Sequence, residues 1–296
     1  MRVLLPQLRL RQLQKEEEKE KKEEMSKTGF CFTGEGARGS VQAGIALGLH
    51  ERGVDADFTI GISSGSICAA SYSHLGPQGL ADMWSNIGGI FDVFGINYGF
   101  MWKTGVLNQK PMEKIVYGAV KNNPICESVV IRMNIEDGRM DYVSNKSVTS
   151  DEFAEAVLGS VAITALVEDR NGWVDAGSRQ LAPLEQCIEA GCDKIYVIMG
   201  RRFEIDKWEI PSGFMRAVKM AYRALDISLN EIMMRDINRC LKNEGEVGYK
   251  GIKIHLVQPD ETPFETIEFN RCKEGVEYGK SNYGVLDKRG IRRLLK

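Results

Sequence analysis

Ser63 is the residue whose neighbours best suit it to act as a nucleophile, because it is centred in Gly61-Ile62-Ser63-Ser64-Gly65, a G-x-S-x-G pattern. Between a strand and a helix this pattern makes a tight turn that lifts the serine hydroxyl above the sheet, and glycines at Gly61 and Gly65 keep that turn clear of side chains. Ser64 and Ser66 are hydroxyls too, but neither lies midway between two glycines. A second glycine-rich loop, Gly34-Glu35-Gly36-Ala37-Arg38-Gly39, lies one helix upstream, after the apolar Phe30-Cys31-Phe32. A strand, a glycine loop and a helix start together present free N–H groups and the positive end of a helix dipole, which suit an anion.

Two anions fit that description: a dinucleotide pyrophosphate, since Gly34, Gly36 and Gly39 spell G-x-G-x-x-G, and the oxyanion of an acyl-transfer intermediate. The dinucleotide reading also requires an acidic residue about 20 positions on, at the end of the second strand. Asp55 and Asp57 have nearly that offset, but they precede the apolar run at residues 58–60 and would lie at the wrong sheet edge. Glu35 would also place a carboxylate against the pyrophosphate. Acyl transfer is therefore the stronger reading.

Three elements in this order resemble the patatin-like phospholipases: the glycine loop with Arg38 before its last glycine, the elbow around Ser63, and the distant Asp175-Ala176-Gly177. Gly105-Val106-Leu107 with Pro111, and the stretch from Ala156 through Thr164 to Gly172-Trp173-Val174-Asp175, are similar to further segments of that family. The likeness runs from about Thr28 to the strand near His255. It implies a three-layer α/β/α fold with a mainly parallel central sheet. It also implies a Ser-Asp dyad, in which Asp175 takes the Ser63 proton and an acyl-enzyme forms on an ester carbonyl. The oxyanion hole would use the loop around Glu35 and Gly36, with Ser64 beside it, each donor contributing roughly 3 to 4 kcal/mol. For Asp175 to act as a base, burial must raise its proton affinity.

The chain departs from that family at Glu35 and Ala176, where glycines are usual, and at Thr164, where proline is common. Glu35 bears on the chemistry, since a positive φ there would be strained and its carboxylate would lie near a developing oxyanion. A Glu35–Arg38 salt bridge is the expected remedy. Arg38 reads equally as a loop-ordering or head-group-binding residue and as a solvated helix start. Asp175 read by itself could simply cap a turn.

A Ser-His-Asp triad would have to draw on three histidines. His50 and His74 are expected at helix surfaces, and His255, the only one after Asp175, falls inside a strand pattern. The poverty in histidine favours the dyad.

With 296 residues, 43% hydrophobic content and a net charge of −2, the chain is expected to bury a substantial core and offers no basic face for nucleic acid. Seven cysteines without regular spacing argue against a disulfide framework, and Cys187 and Cys192 have no second pair with which to bind zinc. No metal or organic cofactor is implied, and a reducing cytoplasm, with peripheral visits to a membrane, is the expected location. Residues 1–27 read as a charged extension, with Met25 an alternative start, and 28–296 as the hydrolase domain.

Positioning the loop and the elbow requires strand 29–33, helix 40–52, strand 57–61 and helix 64–75, an alternation that implies a parallel sheet with helices on both faces. Further strands are expected at 128–135, 141–144, 194–199 and 252–257, with helices near 110–120, 151–159, 182–190 and 213–241. Residues 88–102 interleave Phe91, Phe94, Tyr98, Phe100, Met101 and Trp102 with glycines, which suits either a mobile apolar lid or a core roof. Met215, Met220, Met233 and Met234 on the long helix are expected in the core, and burial against a partner subunit in a homo-oligomer is the other reading. The expected activity is phospholipase A or lysophospholipase hydrolysis of phospholipid or lysophospholipid esters. The alternatives are a catalytically weak lipid- or partner-binding relative and, behind it, a dinucleotide-binding protein.

Overall fold

The computed structural model describes residues 26–98, 103–204, 216–243, 249 and 251–295. The charged stretch up to Met25, the lid residues Phe100 to Trp102, and Met215 lie outside the described residues. In chain order the strands are β1 (Thr28–Phe32), β2 (Phe58–Ile62), β3 (Gly95–Ile96), β4 (Gly105–Asn108), β5 (Glu127–Asn134), β6 (Met140–Ser144), β7 (Ala165–Val167), β8 (Trp173–Asp175), β9 (Lys194–Ile198), β10 (Lys253–Pro259) and β11 (Tyr283–Leu286). The helices are α1 (Gly39–His50), α2 (Ser64–Ser85), α3 (Lys110–Ala119), α4 (Ser150–Ser160), α5 (Leu184–Glu189), α6 (Arg216–Lys242), α7 (Cys272–Ser281) and α8 (Lys288–Leu294).

The main sheet runs β11-β10-β9-β1-β2-β5-β6, with β8 also paired to β5. Its centre, β10-β9-β1-β2-β5, is parallel, and β11, β6 and β8 are antiparallel additions. Alternation along each strand divides the core in two. Phe30 and Phe32 face a cluster with residues of α1, α2, α4 and α7. Cys31 faces the opposite cluster, with Leu184 of α5, Met233 and Ile237 of α6, and Ile291 of α8. The fold is thus a three-layer α/β/α sandwich with a mainly parallel sheet. Both glycine-bearing turns follow adjacent parallel strands and so emerge at the same carboxyl edge, where such sheets form their sites. Asp57 lies at the opposite edge, where its carboxylate accepts the Thr28 N–H.

α2 continues past its expected end at residue 75 to Ser85, across a kink at Gly76 and Pro77. β3, β4, β7, β8, β11, α7 and α8 have no counterpart among the expected elements. β3, β4 and β7 form a separate small sheet. Met233 is fully buried and Met234 partly so, but Met220 is 41% exposed, so the methionines do not form one core face. All seven cysteines are free. Among the described residues no helix is long and apolar enough to cross a membrane.

α1 is buried along nearly its whole length, between the sheet and α7. The helices touch backbone to backbone: a Cβ on Gly44 would collide with the Val276 carbonyl, and one on Gly279 with the Val41 carbonyl. Paired glycines four residues apart on each helix, Gly44 with Gly48 and Gly275 with Gly279, place the small residues on one face. Gly44→Ala should therefore destabilise the protein by about 1 to 3 kcal/mol, despite alanine's better helix propensity. Urea denaturation checks this, and a neutral or stabilising result would show that the contact yields easily.

Candidate active site

The elbow forms where β1, β2 and α2 meet. A Cβ on Gly61 would strike the Gly65 carbonyl, and one on Gly65 would strike the Phe32 carbonyl, so only glycine lets the start of α2 cross this close to both strands. Ser63 takes up the resulting turn with φ 55° and ψ −131°. Such a backbone costs a non-glycine residue of the order of 1 to 3 kcal/mol. Its N–H donates to Ser160 Oγ at 3.0 Å, and Ser160 Oγ donates in turn to the Ile131 carbonyl at 2.6 Å. Ser160, at the end of α4, was not singled out in the sequence; the small pair Gly159-Ser160 was the signal for it.

The glycine loop lies directly against the elbow. A Cβ on Gly34 would come within 2.9 Å of Ser63 Cβ, and the Glu35 N–H donates to Ser64 Oγ at 2.9 Å. Glu35 has φ −146°, so the expected strain is not there; Gly36 carries the positive φ of 58°. Much of the loop's hydrogen bonding is internal: the Ala37 N–H goes to the Thr266 carbonyl and the Arg38 N–H to the Glu35 carbonyl. A pyrophosphate would have to displace these bonds, which weighs against a dinucleotide.

Arg38 is buried rather than solvated: its Nε donates to the Phe264 carbonyl at 2.7 Å, and its Nη atoms lie 3.9 Å from Asp226 and Glu265. The Glu35–Arg38 salt bridge is replaced by a different partner. Glu35 Oε2 faces Arg201 Nε at 3.9 Å, and Arg201 Nη1 is held by Asp226 at 2.7 Å. Burial pushes the Glu35 carboxyl up, opposed by Arg201, the Thr33 hydroxyl, Arg38 and the Gly200 N–H. Arg201 follows β9, the other parallel neighbour of β1, so its sheet-edge position was the available signal. Asp226 had none.

Asp175 reaches the site from the other side. β8 runs antiparallel to β5 and ends with Asp175 opposite Arg132, one residue beyond Ile131, which pairs with Ile62. The Asp175 N–H donates to the Ala162 carbonyl, and its Oδ1 accepts the Gly177 N–H at 2.8 Å. A Cβ on Gly177 would approach that oxygen to 3.1 Å. Ala176 fits, because among the described residues positive φ outside glycine is confined to Ser63, Ala165 and Asn171. Asp236 of α6 accepts the N–H groups of Leu181 and Ala182 and so fixes the chain beyond this turn. Asp175 therefore does cap a turn, and the Ser63 hydroxyl is near enough to act on its carboxyl. Its carboxyl group is enclosed although the residue keeps some exposure; burial lifts its pKa from 3.8 to about 6, and the Ser63 hydroxyl and the Gly177 N–H hold it back.

No histidine hydrogen-bonds to Ser63 or Asp175 among the described residues. His50 is exposed beside Asp55, and His255 stacks on Tyr196 at 4.8 Å, midway along its strand. His74 is buried, contrary to its expected surface place, with Nδ1 2.9 Å from the Ala70 carbonyl.

No protein-family model matches the chain. No curated protein matches it. Among solved structures, VipD from Legionella pneumophila is similar at a TM-score of 0.40 and 13% identity, over 88% of this chain and 68% of that one.

A carboxyl with a folded pKa above its unfolded value binds its proton more tightly when folded. Its penalty is absent below about 3.8 and complete above about 6. Asp175→Asn should therefore stabilise the protein at pH 7 to 8 by up to roughly 3 kcal/mol, with the gain fading as pH falls from 6 toward 4. Thermal melts of both proteins across that range check this; a pH-independent difference would refute the raised pKa.

Proposed function

We propose that the protein is a lipid acyl hydrolase that cleaves carboxylic esters of phospholipids or lysophospholipids through a Ser63–Asp175 dyad. The observation that carries this reading is the strained Ser63 beside a buried carboxyl group whose pKa is raised to about 6. Such a group is largely ionised at neutral pH yet basic enough to accept a proton in the transition state. Ser63 Oγ attacks the ester carbonyl as its proton passes to Asp175. The tetrahedral oxyanion collapses, and the leaving alcohol takes that proton. Water then repeats the sequence on the acyl-enzyme, releasing the fatty acid and restoring Ser63. Because the Glu35 N–H is committed to Ser64 Oγ, we assign the oxyanion to the N–H groups of Gly36 and Ser64.

A bilayer is the expected source of substrate, and an exposed apolar strip supports this. Ile90, Phe91, Ile96, Tyr98 and Val106 face solvent, Phe91 at 66% and Tyr98 at 91%. The segments that carry the strip are linked to the site in two ways. Phe94 packs edge-on against Phe269 at 6.0 Å, three residues beyond the Thr266 that binds the loop. β4 pairs with β7, which follows the Ala162 that binds Asp175. Apolar and aromatic side chains of this kind suit the lipid interface.

Free fatty acid release from mixed phospholipid and lysophospholipid vesicles tests the activity. Ser63→Ala and Asp175→Asn should each lower kcat by about 10³-fold or more, and wild-type kcat/KM should fall as pH drops through about 6. Release that survives both substitutions would refute the dyad, and absence of release from the folded wild-type protein would favour a lipid- or partner-binding role. In a separate sedimentation assay, Phe91→Ser with Tyr98→Ser should reduce vesicle binding by about tenfold. Unchanged binding would remove the strip from the reading.

A further inference from the structure

The pair Glu35 and Arg201 stands out in the molecule because both residues are almost wholly buried, at 4% and 5% exposure, and each leaves one polar atom without a hydrogen bond. Those two atoms, Glu35 Oε2 and Arg201 Nε, face each other at 3.9 Å. The other end of each group is fixed. Glu35 Oε1 accepts from Thr33 Oγ1 at 2.6 Å, and Thr33 is itself held by Gln42 Nε2 through its hydroxyl and its carbonyl. Arg201 Nη1 is bound by Asp226 of α6 at 2.7 Å. Gly200 lets the chain enter here, since a Cβ on it would collide with the Arg38 carbonyl.

We propose that Arg201, steadied by Asp226, is a positioning residue: it pins the Glu35 carboxylate and so sets the direction of the Gly36 N–H in the glycine loop. This rests on the acyl-hydrolase reading, which assigns that N–H to the oxyanion. The mechanical argument is local. Glu35 is anchored through its N–H to Ser64 and through its carboxylate to Thr33 and Arg201, and the next residue takes the positive φ. A displacement of Glu35 therefore rotates the Gly36 peptide. The electrostatic argument is separate. A buried carboxylate stripped of its counter-charge is strongly unfavourable, whereas neutralising both members of a pair is often tolerated.

The test is a set of variants assayed for fatty acid release from lysophospholipid micelles. Arg201→Met should lower kcat by about 100-fold, the scale of a lost oxyanion donor, with KM little changed. Adding Glu35→Gln should restore most of the loss, because no unpaired charge is left to move the loop. Arg201→Lys, which keeps the charge, should fall between the wild type and Arg201→Met. If Arg201→Met does not fold, the double variant should fold and be active. Unchanged kcat in Arg201→Met, or a double variant as inactive as the single one, would overturn the proposal. A double-mutant cycle in melting temperature, made in the Ser63→Ala background, reads the pair without turnover. Additive effects there would also overturn it. Coupling there, with no Ser63-dependent release from the otherwise wild-type protein, would instead defeat the hydrolase reading and leave the ion pair standing.

Discussion

The candidate site depends on one backbone crossing, at which the start of α2 presses against the ends of β1 and β2. Gly65 meets the Phe32 carbonyl and Gly61 meets the Gly65 carbonyl, with no space for a Cβ at either. This contact forces Ser63 into a positive φ and turns its side chain out of the sheet. The strain is offset by what the crossing makes possible. α2 buries Ile67, Tyr72, Leu80 and Trp84 in the core, and burial of side chains of this size contributes roughly 1.5 to 3 kcal/mol each. A local cost of a few kcal/mol is thus carried by the packing of a whole helix.

Around that crossing the protein brings its polar groups in from distant parts of the chain. Ser160 from α4 binds the Ser63 N–H, Asp175 arrives on an antiparallel strand, and Arg201 follows the neighbouring parallel strand. α6 reaches both sides, with Asp226 holding Arg201 and Asp236 holding the backbone at Leu181 and Ala182. Arg38, Arg201 and Arg223 are joined to Glu35, Asp226 and Glu265 in one network beside the loop. Such networks add little net stability, but breaking one member is costly, so they hold a loop in a single arrangement. Asp175 is the counter-example. Among the described residues no cation pairs with it, and burial leaves it with the raised pKa that a base requires.

The central strands and most helices were legible because their apolar periodicity is strong, and the observed ends of β1, β2, β5, β6 and β9 fall within about two residues of the expected ones. The short strands β3, β7 and β8 carry too few residues to show a period. α7 was illegible for another reason: it meets α1 through glycines, and glycine gives no apolar signal. His74 was misplaced because helix position alone does not tell which face the sheet covers.

The sequence by itself determined the local pieces: a serine between two glycines, a glycine loop after a strand, and the absence of histidines placed for a triad. These depend on steric rules that act over a few residues, so they can be read from a string. The partnership of Glu35 was decided only by the tertiary structure. Arg38 is three residues away in sequence, yet the burial of α1 turns it toward Phe264 and Asp226, and Arg201, 166 positions later, takes its place because β9 is the parallel neighbour of β1. Strand order is set by the packing of the whole core, and no local pattern encodes it.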